Sequence, residues 1–395
     1  MSRTLLVLAA STYQLPVIRT AQRLGWRVIT TDNNPRNPGH SISDVSYTVD
    51  TTDRDGVLSI ARTERISGVI SPGTDIAVTT AAYVAEELGL AGPPLWSASI
   101  LTNKLAFRSF LKENGLPTPS VKRVSEMDLD LCLSTVDERW VMKPSMSSGS
   151  KGVFFVESSA DIRAHYQSSR RYSWNGEVFL EEYIAGTQHS CEGFLSDGKV
   201  AFCLITDRDT VDFPYATTAG HRVPTAASMK AQTNIKIMLE RLFAMVEICD
   251  GPFDCDFVVN GDEVTIIEVT PRLGGNAISS LVHEACELDL VGAAIRYATG
   301  ESIGRLGPTT PTPAAVLILG VDRSGRLQLD MDSFHALKAQ PWVRTLELDY
   351  PEGSLVEAFT NGRNRVGEAM IVGSSRSDLD RKVDVIRAKL ALAAQ

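Results

Sequence analysis

The sequence has no excess of basic residues and no apolar run long enough to cross a membrane. Its 395 residues include 39 Lys and Arg against 48 Asp and Glu, which gives a formal net charge of -9. Sequence-independent nucleic-acid binding needs a basic surface, so the composition argues against that class of protein. The apolar run over residues 5–10 is too short for a membrane span and lacks the flanks of a signal peptide. We therefore expect a cytoplasmic protein that binds neither nucleic acid nor membrane.

Paired cysteines are also missing. The six cysteines form no C-x-x-C pair and mostly lie in apolar, strand-like or helix-like runs; they are residues 132, 191, 203, 249, 255 and 286. We expect reduced, buried thiols, because the framework of a disulfide-rich protein or a zinc site would need such pairing. Cys255, next to Asp256, is interpreted as a wall residue and not as a nucleophile.

The first strand-to-helix turn contains no glycine. A strand over residues 5–8, a helix and a second strand ending at Asp32 imitate a dinucleotide-binding unit with its ribose-binding acid. The turn over residues 9–14 has only larger residues, so a pyrophosphate could not closely approach the backbone. A nicotinamide dehydrogenase is therefore disfavoured.

A Walker A motif is incomplete. Residues 193–199 fit most of the pattern, but Val200 replaces the Ser or Thr that holds Mg²⁺. Asp197-Gly198 lies between two strand-like runs, which is typical of a hairpin turn. We therefore set aside a P-loop.

The sequence does contain a pair of acids twelve residues apart, Asp256 and Glu268. Both lie in strand-like runs separated by a Gly261-Asp262 turn, the pattern of an antiparallel hairpin. On one face of the sheet they would repel each other unless a cation lay between them, and their oxygens suit Mg²⁺ held together with nucleotide phosphates. The alternative is a surface hairpin with two solvated acids.

A loop of small residues with two lysines lies upstream. Lys143 follows a strand-like run, and a Ser- and Gly-rich loop leads from it to Lys151. Small residues such as Ser148, Gly149 and Gly152 let backbone N–H groups surround phosphate oxygens, and the lysines add positive charge. A polar hairpin loop with two solvated lysines is the alternative.

The run Glu181-Glu182-Tyr183-Ile184 follows an apolar strand and precedes a Gly turn. Backbone groups along such a connection can bind the edge of an adenine. Glu181 or His189 could reach a ribose hydroxyl. These residues complete a candidate nucleotide site.

The lysine loop, the acidic run and the acid pair ending in Arg272 resemble, in this order, the ATP-grasp superfamily and its biotin carboxylase and carbamoyl phosphate synthetase branch. In those enzymes a lysine is followed eight residues later by a basic residue and then Gly, as at Lys143, Lys151 and Gly152. Their metal carboxylates lie twelve residues apart and end in Glu-x-Asn-x-Arg. This chain has Thr270 in place of the Asn, and a hydroxyl is a weaker fixed metal ligand than an amide oxygen. The resemblance covers about residues 1–305.

The resemblance implies roles for further residues. Lys104, near the start of a helix over residues 101–113, has the position of a phosphate-contacting lysine. The segment TTAGHRVPT, residues 217–225, is similar to a Gly-His loop beside the substrate pocket of L-amino-acid ligases, so His221 is expected to contact the phosphoryl group or the carboxylate. Arg272 offers a guanidinium fork to the acyl phosphate or the acceptor. A solvated lysine and a structural histidine are the alternatives.

The order of the strand-like and helix-like runs predicts three regions. Residues 1–100 alternate strands with helices, which predicts a parallel open α/β sheet preceding the catalytic core, with Asp75 as a helix cap. The resemblance implies that residues 101–305 form an ATP-grasp core of two α+β lobes, in which we expect a helix over residues 277–290. Residues 306–395 are expected to pack as a small C-terminal α+β cap.

The resemblance implies an ATP- and Mg²⁺-dependent carboxylate–amine ligase, with Mn²⁺ as an alternative ion. Phosphorylation of a carboxylate by ATP gives an acyl phosphate, which an amine attacks with release of phosphate. The loop over residues 145–152 would close as a lid that excludes water. A bicarbonate-activating carboxylase and a non-catalytic nucleotide-binding module stay open. The expected partners are small-molecule carboxylates and amines, and the resemblance implies a homodimer.

Overall fold

The structure is a computed structural model, and it describes residues 3–126, 139–211, 214–307, 309–390 and 392–394. Its N-terminal region contains four strands, β1 Thr4–Leu8, β2 Arg27–Thr31, β3 Val45–Tyr47 and β4 Gly68–Ile70. The helices of this region are α1 Leu15–Arg23, α2 Pro38–Ile42, α3 Arg54–Glu64 and α4 Val78–Leu88. The strands form one parallel sheet in the order β3-β2-β1-β4.

Strand β1 is apolar on both faces because helices cover both sides of this sheet. Leu5 and Val7 belong to a core that includes residues of α1, whereas Leu6 and Leu8 belong to a second core with α3 and α4. Successive side chains of a strand point to opposite faces, so an unbroken apolar run is what such a central strand requires. The predicted open parallel sheet is confirmed.

The next region is a small antiparallel lobe. Its elements are β5 Val121–Val124, β6 Trp140–Pro144, β7 Phe154–Val156, α7 Ser159–Arg171 and β8 Val178–Glu182. The strand order is β5-β8-β6-β7, and Ile162 and Tyr166 of α7 pack against the sheet. Because Val141 is the cross-strand partner of Glu181, Lys143 lies diagonally opposite Glu181 on the same face.

The largest unit is an eight-stranded sheet. Its strands are β9 Thr187–Ser196, β10 Lys199–Thr210, β11 Thr218–Val223, β12 Gly251–Asn260, β13 Glu263–Thr270, β14 Ala314–Leu319, β16 Val343–Leu348 and β18 Gly367–Val372. The associated helices are α5 Leu95–Thr102, α6 Lys104–Glu113, α8 Met229–Met245, α9 Ile278–Cys286 and α10 Leu290–Ala298. The strand order is β13-β12-β9-β10-β11-β14-β18-β16. The predicted combination of a parallel sheet with α+β units is confirmed.

The C-terminal region continues this sheet. Strand β14 pairs with β11, and Val316 is the partner of His221. Every residue of β14 is buried, with Val316 in one core and Leu317 in another, so the strand needs cover on both faces. The remaining elements are β15 Gly325–Gln328, α11 Met331–Lys338, β17 Leu355–Val356, α12 Arg376–Leu390 and β19 Ala393–Ala394. The region is α+β as expected, and β15, β17 and β19 form a small sheet of their own. Its other strands, β14, β16 and β18, join the central sheet, which the sequence did not indicate.

Two predicted helices are each divided in the structure. The helix expected over residues 101–113 is broken at Asn103, whose extended backbone separates α5 from α6 and whose side chain accepts a hydrogen bond from Ala106 N at 3.1 Å. The helix expected over residues 277–290 ends at Cys286, and Asp289 then caps α10 by accepting from Gly292 N at 2.8 Å. An Asn or Asp cap accepts hydrogen bonds from the free N–H groups at the start of a helix, so a new helix begins after each of these two residues.

The predicted hairpin turns are confirmed. Residues 197–198 connect β9 to β10, and residues 261–262 connect β12 to β13. The first turn has positive φ at both residues, which excludes the helix that a P-loop would need at this point. None of the described helices is both long and apolar enough to cross a bilayer.

The cysteines follow the expectation in part. Within the described residues Cys191 and Cys255 are buried thiols without a disulfide, and Cys203 and Cys286 are partly buried. Cys249 is exposed, because it lies at the end of the segment between α8 and β12. The expectation of burial was wrong for this residue, and Cys132 lies outside the described residues.

Candidate active site

A cavity of about 1280 Å³ lies where the N-terminal sheet, the small lobe, the eight-stranded sheet and the C-terminal region meet. The predicted site residues on its wall are Lys104, Lys143, Ser148, Gly149, Lys151, Glu181, Glu182, Tyr183, Ile184, His221, Asp256, Glu268 and Arg272. Most of the site residues predicted from the sequence therefore lie around one cavity. Gly152, His189 and Thr270 do not line this cavity.

The acid pair lies side by side on the cavity wall. Asp256 on β12 and Glu268 on β13 are direct cross-strand partners, with a β-bulge immediately beyond them. Asp256 Oδ1 accepts a hydrogen bond from Ser190 Oγ at 2.5 Å, and its Oδ2 lies 3.4 Å from Arg208 Nη1. Glu268 Oε1 accepts from Lys104 Nζ at 2.6 Å. The two carboxylates share one face and are open to the cavity.

This donor set fits a divalent ion that is shared with a ligand. Mg²⁺ is usually bound by one or two carboxylates together with phosphate oxygens and water. Among the described residues no group of three or more His, Cys, Asp or Glu side chains could hold a metal ion alone. Asp256 and Glu268 are the acids that would hold Mg²⁺ beside a nucleotide.

Lys104 lies at the first position of α6, and its ammonium group forms an ion pair with Glu268 of the acid pair. Burial would lower the pKa of Lys104, but the charges of Glu268 and Asp75 outweigh it and raise that pKa above its usual value. Burial would likewise raise the pKa of Glu268, and Lys104 instead holds that pKa below its usual range. Both groups are therefore charged at neutral pH.

Lys143 and Glu181 form a buried ion pair with Arg108. Lys143 Nζ donates to Glu181 Oε1, and Arg108 Nε donates to Glu181 Oε2 at 2.8 Å. Burial, with the neighbouring charge of Arg108, lowers the pKa of Lys143 even though Glu181 opposes this. Burial would raise the pKa of Glu181, but Arg108 and Lys143 hold it below its usual value. Because both of its oxygens are occupied, Glu181 binds the lysine and does not reach out to a ribose.

The Ser- and Gly-rich loop contacts the C-terminal region and the segment that precedes β11. Gly149 O accepts a hydrogen bond from Gly362 N at 3.0 Å, and Ser150 Oγ donates to Ala216 O at 3.2 Å. Burial and the charge of Arg363 lower the pKa of Lys151 to about 8. The loop thus spans the cavity from the small lobe and carries Lys151 above it.

Three predicted residues have other surroundings. Gly152 has a φ of +72°, and an added Cβ would be 3.0 Å from Ser169 Cα, so this glycine permits close packing on α7. The His189 ring is buried, with Nε2 2.7 Å from Thr187 Oγ1 and the other nitrogen, Nδ1, 3.2 Å from Asp207 Oδ1. Thr270 is 1% exposed and faces its partner Asp254. None of the three presents a polar side-chain group to the cavity in this structure.

His221 lies on a strand and not on the loop expected over residues 217–225. Residues Thr218–Val223 form β11 because both neighbours, β10 and β14, supply partners for its backbone. The His221 ring is buried, with Nδ1 3.0 Å from Thr206 Oγ1. Burial lowers its pKa to about 4, against the opposing charge of Asp256, so the ring is neutral at neutral pH.

Arg272 is held between the N-terminal region and the hairpin. Its Nε donates to Asp75 Oδ1 at 2.9 Å, and its Nη1 donates to Asp254 Oδ2 at 2.8 Å. Burial opposes the charge on Arg272, but Asp75 and Asp254 raise its pKa further above the usual value. The interpretation of Asp75 as a helix cap was wrong, because α4 begins at Val78 without a side-chain cap and the carboxylate binds Arg272 instead.

Sequence reasoning missed two acids beside this arginine. Asp254 and Glu192 are cross-strand partners, and Glu192 accepts from Gly274 N at 2.9 Å. Burial raises the pKa of Asp254 to about 7 and raises that of Glu192 well above its usual value. Asp254 could have been predicted from the sequence, because it lies two residues before Asp256 on the same strand and alternate residues of a strand share a face.

Arg108 was missed as well, and Asp75 was not predicted to be a site residue. Arg108 is four residues after Lys104 on α6, and this spacing places both on one side of a helix. That signal could have indicated a second buried cation. Asp75 lies in the segment after β4, and no local pattern predicts its contact with Arg272, 197 residues later.

Residues 101–276 match the family model described as ATP-grasp domain. Carnosine synthase 1 of Homo sapiens is 25% identical over 273 residues, which is 64% of this chain and 32% of that protein. The formate-dependent phosphoribosylglycinamide formyltransferase of Burkholderia pseudomallei is 26% identical over 334 residues, 81% of this chain and 80% of that protein. The solved L-amino acid ligase from Bacillus licheniformis shares the fold, with a TM-score of 0.84 and 19% identity over 100% of this chain and 99% of that one. The predicted resemblance to the ATP-grasp superfamily is confirmed.

Proposed function

We propose that this chain is an ADP-forming ligase that joins a carboxylate to an amine through an acyl phosphate. The match of residues 101–276 to the ATP-grasp domain model supports this proposal. The observation that carries the proposal is the cross-strand pair of Asp256 and Glu268 on the same cavity wall as Lys143. The names of the relatives support this reaction class, since they include an L-amino acid ligase and a carnosine synthase.

The acids and lysines would bind the nucleotide. Asp256 and Glu268 would hold Mg²⁺ or Mn²⁺, which supplies charge neutralisation to the terminal phosphates when bound. Lys143, Lys104 and Lys151 would add positive charge around the same oxygens. The run over residues 181–184 lies on the cavity wall, where its backbone would contact the adenine.

The reaction would proceed in two displacements. A carboxylate oxygen attacks the terminal phosphorus of ATP, the bond from that phosphorus to the bridging oxygen breaks, and ADP leaves. The nitrogen of the amine then attacks the acyl carbon, the bond to the phosphate oxygen breaks, and the amine loses a proton. Water would hydrolyse the acyl phosphate, so a loop that covers the cavity, such as residues 145–152, protects it.

Arg272 and His221 would act on the acid side of the site. The Nη2 atom of Arg272 carries two N–H groups and donates one hydrogen bond, to Asp75 Oδ1. Its second N–H can therefore donate to a carboxylate or phosphate of the substrate. The neutral ring of His221 has its Nδ1 occupied by Thr206, which leaves Nε2 for a polar group of the substrate. Both residues would orient the carboxylate for attack.

The test is a phosphate-release screen with MgATP and pairs of small carboxylic acids and amines, with bicarbonate included as one acid. We expect release of ADP and phosphate that requires both partners, together with a product containing a new amide bond by mass spectrometry. Release with bicarbonate alone would favour the carboxylase. MgATP binding without turnover for every pair would contradict the proposal and favour a nucleotide-binding module.

A further inference from the structure

We propose that Arg108 is a positioning residue. It fixes the side chain of Lys143 relative to strand β13, which carries Glu268. Arg108 lies on α6 and is 2% exposed. Its Nε donates to Glu181 Oε2 at 2.8 Å, and its Nη2 donates to the carbonyl oxygen of Ile267 at 2.6 Å. One guanidinium group thus joins β8 of the small lobe to β13 of the large sheet. The inference rests on the proposed function, because it concerns how that site is held together.

The first contact fixes the direction of Lys143. Glu181 has two carboxylate oxygens, and Arg108 occupies one of them while Lys143 occupies the other. A carboxylate is planar, so binding one oxygen determines where the second one points. Glu181 is the one hydrogen-bond partner of Lys143 Nζ in the part of the chain that the structure describes. Arg108 therefore positions the lysine through Glu181.

The second contact fixes the strand next to Glu268. Ile267 is the extra residue of the β-bulge, since Phe257 pairs with Ile266 and Asp256 pairs with Glu268. A bulged residue is left without a cross-strand partner, and such bulges redirect neighbouring side chains. The Arg108 hydrogen bond to the Ile267 carbonyl holds this bulge in place. The same arginine therefore sets the direction of an acid of the proposed metal site.

Stability alone does not explain this buried charge. Removing ions from water is costly, and apolar side chains of similar volume often replace buried ion pairs without loss of stability. Arg108, Lys143 and Glu181 carry two positive charges and one negative charge, so the group is net positive beside the cavity. The Nη1 atom of Arg108 is buried without a hydrogen-bond partner among the described residues, a further cost. An arrangement that costs stability but orders two halves of a site is expected of a positioning group.

The test is a double-mutant cycle between Arg108 and Lys143, measured as ATP turnover and MgATP affinity. Arg108→Met removes the charge at similar volume, and Arg108→Lys keeps the charge but cannot reach both Glu181 and the Ile267 carbonyl. We expect each variant to fold and to lower kcat by about tenfold or more, the effect of losing a hydrogen bond to a charged group. In the Lys143→Gln background, Arg108→Met should have a smaller further effect on kcat, because the part of its effect that acts through the lysine is already lost and only the part that acts through the Ile267 bulge remains.

The Mg²⁺ requirement gives a second readout. If Arg108 also sets the bulge, Arg108→Met raises the Mg²⁺ concentration needed for half-maximal turnover, which a purely structural role would not do. The matched control is Arg222→Lys, since Arg222 is a partly buried arginine bound to Asp209 and Asp380 away from the cavity. This control should lower thermal stability without changing KM for MgATP.

Two results would overturn the inference. One is wild-type turnover and Mg²⁺ dependence in Arg108→Lys. The other is a double variant whose loss equals the product of the two single losses, which would show that Arg108 and Lys143 act independently. A wild-type chain that neither binds nor turns over MgATP would refute the proposed function itself. If Arg108→Met does not fold, the turnover and Mg²⁺ dependence of Arg108→Lys decide the test.

Discussion

Asp256 and Glu268 are direct cross-strand partners only because one extra residue lies between the hairpin turn and the second acid. Across a two-residue turn, partners are separated by an odd number of positions, as Val259 and Val264 are. A regular hairpin would therefore place Ile267 opposite Asp256 and turn Glu268 to the other face. The bulge at Ile267 shifts the register by one residue, and both carboxylates then lie on the cavity wall.

Replacing Glu268 should abolish ATP turnover while the fold stays intact. Glu268→Gln keeps the shape but removes the charge that would hold Mg²⁺, so we expect kcat to fall by roughly 10²-fold or more. Circular dichroism and thermal melting should show a folded protein. Glu263→Gln, an exposed position on the same strand, is the matched control and should keep full turnover. Normal turnover in Glu268→Gln would refute the metal assignment.

The charge on Lys151 predicts a pH dependence of nucleotide binding. Burial and the nearby Arg363 lower the pKa of Lys151 to about 8, so the side chain is a cation below this pH and neutral above it. Because the cation binds phosphate oxygens, kcat/KM for ATP should fall as pH rises through about 8. Lys151→Arg remains charged over this range and should lose the decline. An unchanged profile in Lys151→Arg would show that another group titrates.

His221 should contribute to acid sensitivity. Burial lowers its pKa from 6.5 to about 4, so the folded state binds a proton less readily than the unfolded state does. The stability contributed by the neutral ring is present above the unfolded pKa and is lost as pH falls from 6.5 towards 4. Between pH 7 and pH 5 the wild type should therefore lose about 2 kcal/mol more than His221→Asn in its free energy of unfolding. Urea unfolding at both pH values measures this, and equal losses would contradict the assignment.

Asp75 should anchor the N-terminal region to the hairpin. Asp75→Asn weakens the contact with the buried Arg272, so we expect the free energy of unfolding to fall by about 1–3 kcal/mol. Urea unfolding followed by tryptophan fluorescence measures the change. Asp322→Asn, an exposed loop position, serves as the control and should unfold as the wild type does. Identical midpoints for Asp75→Asn and wild type would mean that this ion pair does not stabilise the fold.

Much of the site could be predicted because its residues follow local patterns. Asp256 and Glu268 lie on alternating strands around a Gly turn, and Lys143 follows an apolar strand, so each could be recognised from its neighbours. Strand β14 is apolar at every position and β1 is apolar from Leu5 to Leu8, which identifies both strands as buried on both faces.

The residues that were missed act through tertiary contacts. Arg108 belongs to the site because it binds Glu181, which lies 73 positions away in the sequence. No local periodicity predicts that contact. The expected loop around His221 is a strand because β14, far along the chain, pairs with it. The bulge at Ile267 depends on which residues the partner strand offers, so the sequence shows two acids but not the register that joins them.

The most direct test of the central claim is Mn²⁺ binding in the presence of ATP, followed by electron paramagnetic resonance. We predict that the wild-type chain binds Mn²⁺ together with ATP, and that Asp256→Asn and Glu268→Gln each weaken this binding by about tenfold or more. Glu263→Gln should bind as the wild type does. Wild-type Mn²⁺ affinity in both acid variants would contradict the account, because the ion would then be held elsewhere.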